Sequence, residues 1–223
     1  MLIKRICCSL KEGKKQTFSQ QQKQWNTLCK MDGFLGQIGG FSINEPKTAW
    51  IYSFWNKEED YRKFMAEIHD TIADHSGQAN SYTTIEVALF QLKSKVVGSE
   101  KEIAHMIRRA AYIRTAFSKV KEQRIDQFIE KQQTVWNTGM QRSDGIIGGL
   151  FAQSNKLSNE YMVVTGWESE KHHQEYVDEH FPELLKQAKT GEDVLELSGD
   201  QFKVEESWRI YPEIDIGIRE QRT

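Results

Sequence analysis

No stretch of this chain approaches the ~20 consecutive apolar residues that a membrane-spanning helix needs. Proline occurs only 3 times, which excludes long polyproline spacers. Cysteine is equally scarce. Cys7, Cys8 and Cys29 form an odd set without metal-ligand spacing, and neighbours on a strand point to opposite faces, so Cys7 and Cys8 do not make a chelating pair. They read as reduced thiols in a cytoplasmic protein, serving as small apolar fillers. An excess of either charge is missing too. Lys and Arg total 30 against 32 Asp and Glu, which argues against a nucleic-acid surface or an anionic-membrane surface. The opening MLIKRICCSL turns to KEGKK too soon for a signal segment. It reads as a first strand.

What is present is a repeat. WNTLCKMDGFLGQIGG begins at Trp25 and WNTGMQRSDGIIGGLF at Trp136. Asp32-Gly33 returns as Asp144-Gly145, and Trp55 returns as Trp167. Phe18 precedes Trp25 by seven residues, whereas Phe128 precedes Trp136 by eight. A period of half the chain is too long for a solenoid unit and suits a duplicated domain.

Each half carries the same order of elements. LIKRICCSL is short and β-rich. TFSQQQKQWNTLCKM puts Phe18, Trp25, Leu28 and Cys29 on one helical face, and Ile125, Phe128, Ile129, Val135, Trp136 and Met140 repeat that face. GFLGQIGGFSI is a strand punctuated by glycine, NEPK has turn chemistry, and TAWIYSFW is apolar on both faces, as a doubly covered strand is. YRKFMAEIHDTI then places Tyr61, Phe64, Met65, Ile68 and Ile72 along one helix. SYTTIEVALFQL closes the first half as a strand; EYMVVTGW and QFKVEESWRI take the two later strand roles in the second. The order β-α-β-β-α-β, twice, is the ferredoxin-like split βαβ unit. The expected fold class is α+β: two tandem ferredoxin-like repeats packed as an intramolecular dimeric α+β barrel, a closure that removes sheet edges. The expected boundaries are 1–95, a structured connection over 96–108, and 109–223.

GFLG after the first helix, an aromatic strand ending in Trp, and WESEKHHQEYVDEHFPELL together resemble the dimeric α+β barrel superfamily, in its antibiotic-biosynthesis-monooxygenase-like branch with the uncharacterised YdbC-like proteins. The resemblance implies two ferredoxin-like units sharing one barrel. For some members it implies oxidation of aromatic polyketides without metal or flavin, and for others binding and degradation of haem. The haem-degrading members imply an Asn on the first strand, a Trp near the third and a His on the second helix. Neither LIKRICCSL nor AAYIRTAFSKV contains an Asn.

His69 and His180 are the expected catalytic residues. They follow Trp55 and Trp167 by 14 and 13 residues, at the border of an apolar helix face where a His can serve as acid, base or ligand. Trp55 and Trp167 are the expected ligand-binding residues, ending their strands where an apolar molecule could stack. Trp25 and Trp136 read as packing. No metal site is expected: the adjacent His172 and His173 lack the i, i+4 partners of a helical chelate. Arg108, Arg109 and Arg114 read as one solvated basic face, His75 as surface, and Gly36, Gly39 and Gly40 precede no helix, so no phosphate loop is present. No cofactor is expected. Two functions compete: a small-molecule-binding barrel with monooxygenase-like chemistry on an apolar or aromatic metabolite, and a non-catalytic binding, sensing or structural protein with a plugged barrel. The expected assembly is a monomeric pseudo-dimer or a homodimer, with neither nucleic acid nor membrane as partner.

Overall fold

The structure, a computed structural model, describes residues 1–213. Eight strands form one sheet: β1 Leu2–Leu10, β2 Phe34–Phe41, β3 Thr48–Trp55, β4 Tyr82–Val97, β5 Tyr112–Val120, β6 Ile146–Ser154, β7 Glu160–Trp167 and β8 Val194–Lys203. Their order is β2-β3-β1-β4-β6-β7-β5-β8, and every ladder is antiparallel. The two halves are joined where β4 pairs with β6 from Phe90↔Ser154 to Val97↔Gly148. The opposite seam is shorter. A bridge links Ser42 to Phe202, and the Ile43 amide donates to the Gln201 carbonyl at 3.0 Å. The sheet therefore curls back on itself as the repeat implies. Gly40 makes that seam possible, because a Cβ there would stand 2.3 Å from the Lys203 carbonyl oxygen.

Helices cover the outside of the sheet. The first half carries α1 Lys15–Gln22, α2 Glu58–Glu67 and α3 His69–Ser76; α4 Ile103–Arg109 lies between the halves; the second half carries α5 Ile125–Lys131, α6 Thr138–Met140, α7 Glu170–Glu179 and α8 Phe181–Ala188. The one-residue difference between the Phe–Trp spacings has a structural cause. After α1 the chain tightens into a 3₁₀ segment, Lys23–Lys30. After α5 it widens into a π turn, Gln132–Asn137. A π turn absorbs an extra residue without moving the flanking face, so Trp25 and Trp136 still reach matching places. The helix expected over YRKFMAEIHDTI is broken in two at Ile68, whose φ of −127° and ψ of −33° leave the helical range. His180 makes the same break between α7 and α8, with Pro182 in the first turn of α8.

Strand alternation explains why charged residues sit in a doubly buried strand. Leu2, Lys4, Ile6 and Cys8 face the helices, while Ile3 and Arg5 face the lumen. The lumen is packed by Ile3, Tyr52, Phe90, Leu150, Met162 and Phe202. Helix α4 closes one end, burying Met106 and Ile107 in that cluster. Gly166 leaves room for it, since a Cβ there would meet Met106 Cγ at 2.7 Å.

The expectation for QFKVEESWRI is corrected. The last strand is Val194–Lys203, and it runs straight through the Ser-Gly-Asp that resembles a turn. Gly199 lies against the Thr115 carbonyl, 2.6 Å from where its Cβ would be, so the glycine serves strand contact. Beyond Lys203 the chain crosses back over the first repeat. Gln37 and Ile210 exchange backbone hydrogen bonds at 2.9 and 3.0 Å, and the fully buried Trp208 packs on Phe18 and Phe41.

Candidate ligand-binding site

The first repeat holds a cavity of about 340 Å³ between the outer face of its sheet and helices α1–α3. Lys4, Ile6, Ile51, Ser53 and Trp55 form its floor; Trp25, Tyr61, Phe64, Met65 and His69 come from the helices. Two expected site residues, Trp55 and His69, thus share one wall. Trp55 is anchored by an indole N–H donating to Ser53 Oγ at 3.3 Å and by Phe34, Tyr61 and Phe64, with ring centroids 5.1–5.8 Å away. The His69 ring packs against Trp25 and Phe64 at 5.5 and 5.7 Å. Its Nδ1 lies 2.8 Å from the exposed Asp70 carboxylate, an arrangement that can leave Nε2 to exchange a proton. On the rim the Trp25 indole donates to Gln78, whose amide donates to Gln22.

Lys4 was not singled out by sequence reasoning. It is 5% exposed. Its Nζ lies 3.9 Å from Met65 Sδ and 5.5 Å from the centre of the Tyr61 ring. Burial lowers its pKa to about 8, because an apolar wall disfavours the ammonium. Burial also pushes the Cys8 thiol up to about 12 and the Tyr61 phenol upward. The signal was present: two adjacent charges, Lys4-Arg5, inside a strand that is apolar on both sides.

The other two expected residues are placed differently. Trp167 is fully buried and repeats the anchor of Trp55, its indole donating to Thr165 Oγ1 at 3.0 Å. His180 sits at the α7–α8 break, half-buried and outside the lining of the cavities described. The two histidines are also not equivalent. The ring that packs at a tilt on Trp136, as His69 does on Trp25, is Phe181, also at 5.5 Å.

The second repeat has its own hollow of about 360 Å³, lined by Arg114, His173, Tyr176, Phe181 and Gln201. Arg114 therefore does not share a solvated face with its neighbours in sequence. Arg108 lies over Tyr211, Arg109 pairs with Glu100 at 2.6 Å, and Arg114 stands on β5 under α7. His173 is 5% exposed, and its Nε2 has no hydrogen-bond partner among the described residues. Burial first, and then the charge of Arg114, lowers its pKa to about 4. A histidine held neutral in the fold contributes stability above its unfolded pKa of ~6.5 that is lost as pH falls toward 4. Replacing His173 with Phe is therefore expected to remove on the order of 2 kcal/mol of acid sensitivity between pH 6.5 and 4. Urea midpoints of both proteins across that range would show it; parallel pH profiles would contradict it.

The mouth of the barrel holds a third space, about 390 Å³, with Arg5 and Asp200 in its wall. Its charges are satisfied internally. Arg5 is paired with Glu86 and stacked on Trp50 and Phe117; Asp200 accepts from Ser42, Asn44 and Trp50. The first cavity, where the buried cation has no such partner, is the stronger candidate. Among the described residues no three His, Cys, Asp or Glu side chains are grouped to hold a metal, and no helix is long and apolar enough to cross a membrane.

A family described as a domain of unknown function (DUF4937) matches residues 2–90. The uncharacterized protein YdbC of Bacillus subtilis (strain 168) is 37% identical over 93 residues, which are 41% of this chain and 78% of that protein. The chain belongs to the YdbC family. The matched residues, 2–90, are the first repeat, and the second half repeats its strand order in the same sheet. Solved structures match over both repeats. A protein of Fusobacterium nucleatum provisionally named a monooxygenase superposes with a TM-score of 0.73 at 10% identity, covering 91% of each chain. A second such protein, from Lactobacillus acidophilus, gives 0.72 at 11% identity over 94% of this chain and 95% of that one. An anthrone oxidase-like protein gives 0.69 at 13% identity, covering 92% of this chain and 91% of that one. At such identities the likeness is one of fold: two ferredoxin-like repeats sharing one curled sheet.

Proposed function

We propose that the first-repeat cavity binds a small, largely apolar or aromatic molecule and that His69 exchanges a proton with it, as in monooxygenase-like chemistry without a cofactor. The largely apolar cavity of about 340 Å³, with Trp55 and His69 on its wall, carries this reading; such a space fits a small ligand. In cofactor-free oxygenation the substrate gives its own electrons to dioxygen after losing a proton. The tasks left to the protein are to hold the ring, accept the proton and keep water out. Trp55, Phe64 and Trp25 supply the first, His69 the second and the helical roof the third. The residues do not fit the haem-degrading members: the first-strand side chains lining the cavity are Lys4, Ile6 and Cys8, none of them the implied Asn. The free thiols suit a reducing, cytoplasmic setting.

Native mass spectra of the purified chain, with quenching of Trp25 and Trp55 fluorescence by 2-naphthamide, test the binding. The expected result is a ligand lost on activation, or saturable quenching that Ala73→Phe abolishes by filling the cavity. A clean mass together with no quenching would leave a plugged, structural barrel. Once the ligand is known, His69→Phe, the residue found at the matching place in the second repeat, is expected to keep binding and lose turnover. Turnover equal to wild type would remove His69 from the chemistry and leave a binding or sensing protein.

A further inference from the structure

We propose that the ligand of the first cavity carries one anionic oxygen group, a carboxylate or an ionised phenol, on its apolar body, and that the Lys4 ammonium is its counter-charge. The inference rests on the reading of this cavity as the ligand site and names the ligand's chemical class.

The argument is one of charge balance. Three other buried cations have partners: Arg5 has Glu86, Lys131 has Asp193 at 2.7 Å, and Arg209 has Glu206 and two carbonyls. Lys4 forms no ion pair among the described residues, and its polar contacts end at a thioether and the face of a phenol ring. An ammonium left unpaired in an apolar wall is costly. The cost is removed when a ligand brings the opposite charge. Lys4 is also well placed to receive it. It projects from the central part of the sheet, opposite Ser53 of β3 and Leu89 of β4, so an anionic group on the floor would leave the ring between Trp55, Phe64 and His69.

The second repeat repeats the feature. Arg114 on β5 occupies the place of Lys4, opposite Thr165 and Gln201, and it too forms no ion pair among the described residues. Tyr61 has become His173 and His69 has become Phe181, while the cation at this strand position is kept.

The test compares two probes of nearly equal shape, 2-naphthoate and 2-naphthamide, by tryptophan quenching on the full chain. At pH 7 the acid is expected to bind roughly tenfold more tightly, the advantage of a charge-assisted hydrogen bond. The acid stays ionised throughout, so loss of its advantage between pH 8 and 10 would report the protein. The other titratable groups on the cavity wall are Cys8, Tyr61, His69 and Tyr82. Burial pushes Cys8, Tyr61 and Tyr82 upward, so they stay neutral through most of that window. Lys4→Met is expected to abolish the acid's advantage and keep amide binding. Equal binding of the two probes by the wild-type chain overturns the proposal whatever the variant does, as does an acid preference that survives Lys4→Met. Failure of both probes to bind overturns the cavity reading as well, a distinct outcome.

Discussion

Trp208→Ala is expected to lower the unfolding free energy by about 3–5 kcal/mol, the range for emptying a fully buried tryptophan site. Trp208 lies on the strap that follows β8, five residues beyond Lys203, yet it is packed as deeply as any core side chain, at 0% exposure. Its ring stands edge-on to Phe18 and Phe41, 5.5 and 4.8 Å between centroids. Its N–H donates to Ser19 Oγ at 3.0 Å. The residues around it, Cys8, Leu10, Ala49 and Ile51, all belong to the first repeat. The strap is therefore a clasp: a segment following the second repeat completes the core of the first. The next residue strengthens it, since the Arg209 guanidinium donates to the Ala110 carbonyl at 3.0 Å and to that of Ile107, satisfying carbonyls at the end of α4. Denaturant unfolding of the variant is expected to show a lower midpoint and a first repeat that melts before the second. A loss below 1 kcal/mol with a single unchanged transition would show that the clasp does not couple the repeats. Trp136, only half-buried, is the comparison, and its truncation is expected to cost less.

The duplication, the strand order and the helix-covered sheet were legible because they depend on patterns that repeat: a Trp ending β3 and again β7, glycine after each first helix, an apolar face at helical spacing. The clasp was not, because VEESWRI has the alternation of a strand and nothing local marks it as a segment that leaves its own sheet. The break at Ile68 was missed for a related reason. Its apolar spacing continues through the break, and only backbone angles reveal it. Trp55 and His69, which line one cavity, were legible as candidates because an aromatic strand end and a histidine on an apolar face are visible singly. The pairing of His69 with His180 failed because similar spacings of 14 and 13 differ by one residue, and one residue on a helix turns a side chain by ~100°. Lys4 escaped because a lysine is usually at the surface, so the adjacent charges of Lys4-Arg5 inside an apolar strand carried no weight by themselves.

Lys4→Met is expected to make the free protein more stable at pH 7, by about 3 kcal/mol. The sign follows from proton binding. Burial lowers the Lys4 pKa from 10.5 to about 8, so between those values the unfolded chain holds a proton that the folded chain has lost. Stability of the wild type therefore rises with pH from about 8 to 10.5, and below pH 8 the full desolvation penalty is present. Met is one atom shorter than Lys, fills most of the same space and has no charge to desolvate, so it is free of that penalty at every pH. The gap between variant and wild type should accordingly be widest at pH 7 and close toward pH 10.5, with the Cys and Tyr titrations common to both cancelling in the difference. Urea midpoints at pH 7 and pH 10 decide the point. A variant less stable than wild type at pH 7 would mean that the ammonium has a partner in the folded chain, and the case for an anionic ligand would weaken with it. A variant more stable at pH 7 but unable to prefer 2-naphthoate would place Lys4 among residues kept for binding at the expense of the fold, as groups poised at functional sites commonly are.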